Sequence, residues 1–476
     1  MMRRPLALLL SLVLAFPVHA LDLPDLGDVA AAELSPAAER GIGEQIIREI
    51  RQDAAYLDDP EIEEYVGRLG HRLATASGSL AQDFEFFVVR DATLNAFALP
   101  GGYIGVHTGL LLAAQSESEL ASVLGHEIAH VTQRHIAQIV GKQSQSAMLM
   151  VASLLVAVLA ARSNSQVSEA AIAAGQAGAI QSQLGYTRAF EREADRVGLE
   201  TLEAAGFDVR GMPGFFERLQ RAIRVYENNA PAYLRTHPLT TERIADMENR
   251  VASTRYRQVP DSPGFAYARA KLRAGNGSAT DAVRELEDQV ARHAQDPALA
   301  YGLARALLRA GRAEEAAQRL ETARTLAEPS PWLETLAGEI RLARGEGAAA
   351  IRGLEAARER FPDSRSLIYA LAEARIVGGE PAQAERELRQ TVARRSDDAR
   401  LWRLLSRAHA ALGQRTAQHR AQAELYLLQG SLPAAIEQLE IARRAGDGDF
   451  YAQSAVDARL RELQQRLREE RRERLR

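Results

Sequence analysis

The chain has 476 residues, contains no cysteine and carries a formal net charge of −4. Its length exceeds that of one ordinary domain, so we expect two or more domains, and a hydrophobic content of 46% is typical of a folded chain. The missing cysteines exclude disulfide bonds, thiolate metal ligands and a catalytic cysteine, and the charge gives no reason to expect nucleic-acid binding.

Residues 1–20 have the features of a secretory signal peptide. Two arginines give a positive start, an apolar run occupies residues 6–16, and the small-residue pattern at 18–20 is a suitable cleavage site. We therefore expect export from the cytoplasm, which in a bacterium with two membranes leads to the periplasm. The alternative is an uncleaved membrane anchor, which the shortness of the apolar run disfavours.

Residues 21–257 are predicted to form one mixed, mostly helical domain that contains a small sheet. The aromatic and β-branched residues of 84–90 predict a strand. Two further apolar segments, 94–99 and 103–106, flank the turn signal Pro-Gly-Gly at 100–102. The sheet would lie directly ahead of the helix described next.

The helix that follows carries the sequence His126-Glu127-Ile128-Ala129-His130. Ser116 and Glu119 form a capping-box pattern that predicts where this helix begins. Two histidines four residues apart project from one helical face, so their imidazoles can bind one zinc ion together. Glu127 is adjacent to the first histidine, where its carboxylate would act on a water molecule during peptide hydrolysis. A chance match on a buried helix is the alternative.

Zinc peptidases often place the edge of a strand beside the metal, where an extended substrate adds as one more strand. Our candidate for this edge is the segment Asn95, Ala96, Phe97, Ala98 and Leu99. A plain structural hairpin explains the same segment equally well.

The apolar segment 147–161 is shorter than the roughly 20 residues that a membrane-spanning helix requires. We predict a buried helix or a lid near the metal site, with an interfacial helix that touches the membrane as the alternative. No stable membrane span is expected.

A catalytic zinc site requires a third protein ligand, and the helix predicted to run from Phe190 towards Gly206 offers carboxylates for it. Glu191 and Asp195 are four residues apart and share one face, which fits a zinc ligand and a carboxylate that orients a ligand histidine. Glu193 points to another side of the helix and is a weaker candidate. The alternative is that these acids form an ordinary charged surface.

Two further histidines are candidates for the site. His135 is nine residues after His126, and Gln133 stands where a metzincin would need glycine, so the metzincin pattern is absent. We expect His135 to lie on the helix surface or to pack locally. His237 is stiffened by the proline that follows it, and Arg243 nearby could anchor a carboxylate.

After a linker at 258–264, residues 265–455 are predicted to form helical repeats. The five repeat glycines are spaced by 34 residues, which is the period of the tetratricopeptide repeat: Gly277, Gly311, Gly345, Gly379 and Gly413. Such repeats stack into an α-solenoid whose concave face binds other chains. Gly430 breaks the register, and residues 456–476 are predicted to form a charged, solvated terminal helix, with a basic docking tail as the alternative.

Taken together, the motifs resemble those of the HtpX-like gluzincin metallopeptidases. The resemblance is carried by His126-Glu-x-x-His130, Glu191-x-x-x-Asp195, His237-Pro with Arg243, and the run that starts at Asn95. It covers nearly the whole chain after residue 20. It implies a mainly α protein with an α+β zincin-type peptidase domain, a small sheet and a tetratricopeptide α-solenoid.

The resemblance also implies roles for single residues. One zinc ion per chain would be held by His126, His130 and Glu191, with Glu127 as the general base and later the proton donor. His237 would lie near the metal, either as a fourth ligand in a latent state or as a stabiliser of the oxyanion. Beside these residues, the sequence pattern itself suggests that Asp195 orients a ligand imidazole and that Arg243 anchors a carboxylate.

For the role in the cell, the resemblance implies a periplasmic protease that degrades stalled or unfolded outer-membrane β-barrel proteins and promotes their assembly. Its repeats would contact the barrel-assembly machinery and the lipopolysaccharide-transport barrel. The terminal Arg/Glu-rich helix departs from the family pattern. Two alternatives remain open: a non-proteolytic tetratricopeptide adaptor with a structural metal site, and a membrane-embedded protease.

Overall fold

The structure is a computed structural model that describes residues 34–79, 82–140, 188–225, 232–255 and 257–474. The predicted signal peptide at 1–20 and the apolar segment at 147–161 lie outside the described residues. Within the described ranges, no helix is both long and apolar enough to cross a membrane.

The first part of the chain combines helices with a small sheet. Its helices are α1 (Pro36–Ile50), α2 (Pro60–Ala76), α3 (Thr108–Ala113), α4 (Glu117–Thr132), α5 (His135–Val140), α6 (Arg188–Ala204), α7 (Gly211–Val225), α8 (Ala232–Thr236) and α9 (Thr241–Ala252). Helix α4 is buried from residue 117 to 131 because α2, α6 and α7 pack around it. A helix enclosed in this way can hold side chains rigidly for a metal site.

The sheet contains three strands in the order β1-β3-β2. These are β1 (Glu85–Val89), β2 (Ala96–Leu99) and β3 (Tyr103–His107), which confirms the strands predicted from the sequence. β1 runs parallel to β3 and β2 runs antiparallel to it, in register from Ala96 opposite Val106 to Leu99 opposite Tyr103. β2 is therefore an edge strand, and it packs against α4.

The second part of the chain is a series of helical pairs. The helices are α10 (Pro263–Gly275), α11 (Ala279–Arg292), α12 (Pro297–Arg309), α13 (Ala313–Leu326), α14 (Pro331–Ala343), α15 (Gly347–Arg360), α16 (Arg365–Val377), α17 (Pro381–Arg394), α18 (Ala399–Ala411), α19 (Arg415–Leu428), α20 (Leu432–Arg444) and α21 (Phe450–Arg474). The predicted glycines lie in the turns between paired helices. Gly311 is typical of them: it has a φ of +77°, which glycine adopts without steric cost. The turn at Gly311 lets the N–H of Arg312 donate a hydrogen bond to the carbonyl of Leu307.

The C-terminal helix differs from the prediction. It already begins at Phe450, ahead of the predicted segment 456–476. One face of its first half is not solvated, because Val456, Leu460 and Leu463 are buried against α19 and α20, whereas Phe450 and Tyr451 at its start are exposed. These leucines recur at helical spacing, so the helix closes the last repeat with an apolar stripe while its charged face remains in water.

The two parts of the chain share a continuous apolar core that includes Leu57, Tyr65, Phe265 and Trp332. A polar contact adds to it at the start of α2, where the buried carboxylate of Glu61 accepts hydrogen bonds from Lys271, Arg305 and Thr335 of the repeats. Because a buried carboxylate needs such compensation, these hydrogen bonds hold α2 firmly against α10, α12 and α14 of the repeats.

Candidate metal centre

The site is built on α4, and this helix begins where the Ser116–Glu119 capping pattern predicted. Ser116 is the N-cap residue, and its hydroxyl accepts a hydrogen bond from the Glu119 N–H. The Glu119 carboxylate accepts from Gln115 N–H at 2.7 Å, one residue earlier than in the reciprocal capping box. The cap places His126, Glu127 and His130 in the last two turns of the helix, where each side chain is at most 1% exposed.

Helix α6 crosses α4 and brings Glu191 to the two histidines. Oε1 of Glu191 lies 3.5 Å from Nε2 of His130, and Oε2 lies 3.6 Å from Nε2 of His126. The Nε2 atoms of His126 and His130 are 3.0 Å apart. Three ligand atoms from two helices therefore converge, although Glu191 is 61 residues beyond His130.

His237 completes the group from the loop after α8. Its Nδ1 lies 3.3 Å from Nε2 of His126 and 3.0 Å from Oε1 of Glu191. The aromatic ring of Tyr233 stacks on its imidazole, with ring centroids 4.6 Å apart and an angle of 27° between the planes. Sequence reasoning missed Tyr233, whose signal is its position four residues before His237. Its stacking fixes the orientation of the ring.

The geometry of these atoms fits one zinc ion. His126, His130, Glu191 and His237 each offer one ligand atom, and all four atoms lie within 4.8 Å of one another. Four ligands placed tetrahedrally at about 2.1 Å from zinc are about 3.4 Å apart, which is close to the distances reported above. Nitrogen and carboxylate ligands in a chain without cysteine are also a donor set that zinc accepts.

Two side chains lie behind the ligands. Oδ1 of Asp195 lies 3.0 Å from Nδ1 of His126. Arg243 donates to both oxygens of Asp195, each at 2.7 Å, and its Nη1 lies 2.8 Å from Oε2 of Glu191. Asp195 thus leaves only Nε2 of His126 for the metal, and the arginine balances two buried carboxylates. The structure places Asp195 behind His126, and it places Arg243 against both Asp195 and Glu191.

The pKa shifts reflect this charge arrangement in the metal-free protein. Burial would lower the pKa of His126, but the hydrogen bonds and charges of Asp195 and Glu191 outweigh burial and raise that pKa to about 9. Burial would raise the pKa of Glu191, yet the charges of His237 and His126 hold it well below its usual range. The centre therefore favours a positive charge between its ligands, which a bound metal ion would supply.

Glu127 lies beside the ligands and is not one of them. Its carboxylate is fully buried, and Oε1 lies 3.5 Å from Nε2 of His237. Burial raises the pKa of Glu127, while His237 and the backbone N–H of Ala98 lower it. A buried carboxylate with a raised pKa is suited to accept a proton and to release it again.

The edge strand lies next to this carboxylate. His107 N–H donates to the carbonyl of Asn95, so the alternation of an antiparallel ladder directs the backbone groups of Asn95, Phe97 and Leu99 towards β3. The backbone groups of Ala96 and Ala98 then point to the open side of the sheet. The Ala98 N–H is close enough to Glu127 to lower the pKa of its carboxyl.

Two positions were expected for His135: the helix surface, which is wrong, and local packing, which the structure has against His130. His135 is fully buried, and its Nδ1 lies 2.8 Å from Nδ1 of His130. Glu193, which indeed does not reach the ligand group, lies with Oε2 3.2 Å from Nε2 of His135. The chain turns back after α4, and that turn is what the sequence pattern could not reveal.

Comparison with protein families agrees with this geometry. Residues 60–251 match the model of peptidase family M48, and residues 260–332 and 341–408 match a tetratricopeptide repeat model. The chain therefore carries an M48 peptidase domain followed by tetratricopeptide repeats. Peptidases of this family are zinc-dependent, in keeping with the four-residue group.

The curated relatives that this chain resembles are named as proteases. The β-barrel assembly-enhancing protease of Escherichia coli strain K12 is 37% identical over 279 residues, which are 58% of this chain and 57% of that protein. A Vibrio cholerae protein provisionally given the same name is 43% identical over 253 residues, which are 53% of this chain and 52% of that protein. The mitochondrial metalloendopeptidase OMA1 of Schizosaccharomyces pombe is 34% identical over 186 residues, 39% of this chain and 51% of that protein. The chain spans about half the length of these relatives.

Among solved structures, a tetratricopeptide repeat protein from Parabacteroides merdae aligns over 98% of its length with 52% of this chain. The TM-score of 0.30 and the identity of 11% are too low to add to the assignment.

Proposed function

We propose that this chain, whose residues 60–251 form a peptidase family M48 domain, is a zinc metalloendopeptidase. The observation that carries the proposal is the convergence of His126, His130 and Glu191 on one point beside the buried carboxylate of Glu127. Hydrolysis of a peptide bond by a zinc peptidase requires a metal ion held by three protein ligands and a general base next to it.

Each residue has a distinct part in this mechanism. Zinc, when bound, would polarise the scissile carbonyl and lower the pKa of a water molecule towards about 7. Glu127 accepts the proton of the attacking water and then passes it to the amine of the leaving peptide. Asp195 orients His126, and Arg243 keeps Asp195 and Glu191 in place.

The substrate would bind as one more strand beside β2. Ala96 and Ala98 turn their backbone groups to the open side of the sheet, and the Ala98 N–H lies next to Glu127. An extended peptide paired with these groups would run past the catalytic carboxylate with its carbonyl near the metal ligands. Such main-chain pairing depends little on side chains, so unfolded polypeptides of varied sequence are suitable substrates.

His237 closes the site in the resting protein under this proposal. Its Nδ1 lies at the fourth corner of the ligand group, while Nε2 lies 3.5 Å from Glu127. A fourth protein ligand leaves no position for substrate or water, so the ring must move before hydrolysis begins. A protease that is closed at rest would spare folded proteins in its surroundings.

For the biological role, we infer quality control of outer-membrane β-barrel proteins in the periplasm. Support comes from the names of the relatives, which are β-barrel assembly-enhancing proteases, and from the signal-like residues 1–20. The enzyme would degrade misassembled or unfolded barrel proteins and promote the assembly of others. The repeats would bind the barrel-assembly machinery, because tetratricopeptide repeats are surfaces for other proteins.

A second candidate function follows from His237. Four protein ligands form a closed site of the kind that stabilises structure, which favours a non-proteolytic adaptor whose repeats do the work. The adaptor requires no general base, so Glu127 separates the two functions.

The test is Glu127→Gln in the purified chain, with metal content and cleavage of an unfolded barrel protein measured together. We expect one zinc ion per chain in both proteins and a loss of cleavage of about 10²-fold to 10⁴-fold in the variant. Glu200→Gln, which changes an exposed glutamate on α6 away from the ligand group, is the matched control and should leave cleavage unchanged. Equal cleavage by wild type and Glu127→Gln would leave the adaptor as the better account.

A further inference from the structure

His135 occupies its position because of an unusual backbone turn. Helix α4 ends at Thr132, and Arg134 then adopts a φ of +54°, a left-handed conformation that is costly for a residue with a side chain. The guanidinium of Arg134 donates to Leu34 O at 2.6 Å and lies 3.4 Å from Glu39, which anchors the turn to the start of α1. The turn folds α5 back, so that its first residue, His135, lies against His130.

The hydrogen bonds of His135 follow from the role of His130. Nε2 of His130 faces the other ligand atoms, so its proton is on Nδ1 when a metal is bound. That N–H donates to Nδ1 of His135 across 2.8 Å. His135 then carries its own proton on Nε2, which donates to Oε2 of Glu193 across 3.2 Å. Glu193, His135 and His130 thus form a chain of hydrogen bonds from an exposed carboxylate to a ligand histidine.

Packing holds the middle of this chain in place. The ring of Phe190 stacks on His135, with centroids 4.4 Å apart and an angle of 16° between the planes. The imidazole of His135 is fully buried, whereas the side chain of Glu193 is 49% exposed. Phe190 and Glu193 belong to α6, the helix that also supplies Glu191. This row of hydrogen bonds therefore links His130 to α6, the helix that also supplies the ligand Glu191.

We propose that His135 and Glu193 are positioning residues for the metal centre. They hold His130 in the tautomer and orientation in which Nε2 can bind the metal. The two ligand histidines then differ in their support: His126 is backed directly by the carboxylate of Asp195, while His130 is backed by a neutral imidazole with a carboxylate behind it. Partners of this kind commonly tune metal affinity by 10-fold to 100-fold.

The inference rests on the proposed metal site but not on proteolysis, so its test measures zinc binding directly. Metal-free protein is titrated with zinc in competition with a chelating dye. His135→Phe keeps the stacking on Phe190 but removes both hydrogen bonds, and we expect zinc affinity to fall about 10-fold to 100-fold. His135→Gln retains an acceptor oxygen for His130 and should recover most of the loss.

A second pair of variants keeps the proposal testable if His135→Phe does not fold. Glu193→Ala removes the exposed end of the chain and should weaken zinc binding about threefold, the effect of one modest hydrogen bond. Glu200→Ala, an exposed glutamate on the same helix, is the matched control and should leave affinity unchanged. Thermal unfolding of the metal-free proteins should be the same for both glutamate variants.

The outcomes separate the two proposals. If wild type binds no zinc, the metal site itself is wrong. If wild type binds one zinc ion and His135→Phe and Glu193→Ala bind it equally well, only the positioning role is overturned. A loss of affinity that Gln at 135 does not recover would assign His135 to packing alone and would also overturn it.

Discussion

Gly125 and Gly198 face each other where α4 crosses α6, and their backbones are in direct contact. A β-carbon at Gly198 would lie 3.0 Å from the backbone nitrogen of His126 and 3.1 Å from the carbonyl carbon of Gly125. A β-carbon at Gly125 would lie 3.1 Å from the carbonyl oxygen of Gly198. This close approach allows a carboxylate on α6 to reach the histidines of α4.

We predict that Gly198→Ala pushes the two helices apart and weakens metal binding. The added methyl group meets backbone atoms, which cannot rotate away, so the variant should lose roughly 1–3 kcal/mol of unfolding free energy and bind zinc less tightly. Gly67→Ala is the matched control, because a β-carbon at this helical glycine meets no atom within 4 Å. The control should be neutral or stabilised by up to about 1 kcal/mol in chemical denaturation. Similar zinc affinity in both variants would contradict the packing argument.

His237→Ala should raise proteolytic activity. If the ring closes the site in about nine molecules of ten at rest, its removal increases initial turnover of an unfolded substrate about tenfold. His293→Ala, at an exposed position in the repeats, should have no effect. A lower activity in His237→Ala would instead identify the ring as a stabiliser of the oxyanion, and an unchanged activity would remove it from the site.

Arg243→Ala should be strongly destabilising. The arginine is 3% exposed and is paired with both Asp195 and Glu191, so its loss leaves two buried carboxylates without compensation. We expect the metal-free protein to lose roughly 3–5 kcal/mol of unfolding free energy. Arg250→Ala on the same helix removes a half-exposed ion pair with Asp246 and should cost about 1 kcal/mol or less. Comparable urea midpoints for the two variants would argue against the buried network.

Zinc binding should release a proton near neutral pH. The pKa of His126 is raised to about 9 in the metal-free protein, so below that pH the imidazole is protonated and must lose its proton before Nε2 can bind a metal. Apparent zinc affinity should therefore rise with pH up to about 9 and then level off. Titration calorimetry in buffers of different ionisation enthalpy should report about one proton released at pH 7.5. No proton release would mean that His126 is already neutral.

Local pattern predicted the parts of this protein that depend on one segment at a time. The spacing of His126 and His130 and the pairing of Glu191 with Asp195 on one face follow from helical geometry. The 34-residue glycine period follows from a repeated helix-turn-helix unit. The strands were also predicted from local sequence, because β1 is rich in aromatic and β-branched residues and a Pro-Gly-Gly turn separates β2 from β3. For the third ligand, helical spacing proposed the residue and the family resemblance selected it.

The tertiary structure decided what depends on packing between distant segments. The turn at Arg134 that buries His135 beneath His130, the stacking of Tyr233 on His237, and the contact of Gly125 with Gly198 have no periodic signal in the sequence. A helical repeat constrains neighbours three or four residues apart, because their distance is set by the backbone. The distance between His126 and Glu191 is set instead by how closely two helices pack, and only the folded chain determines that.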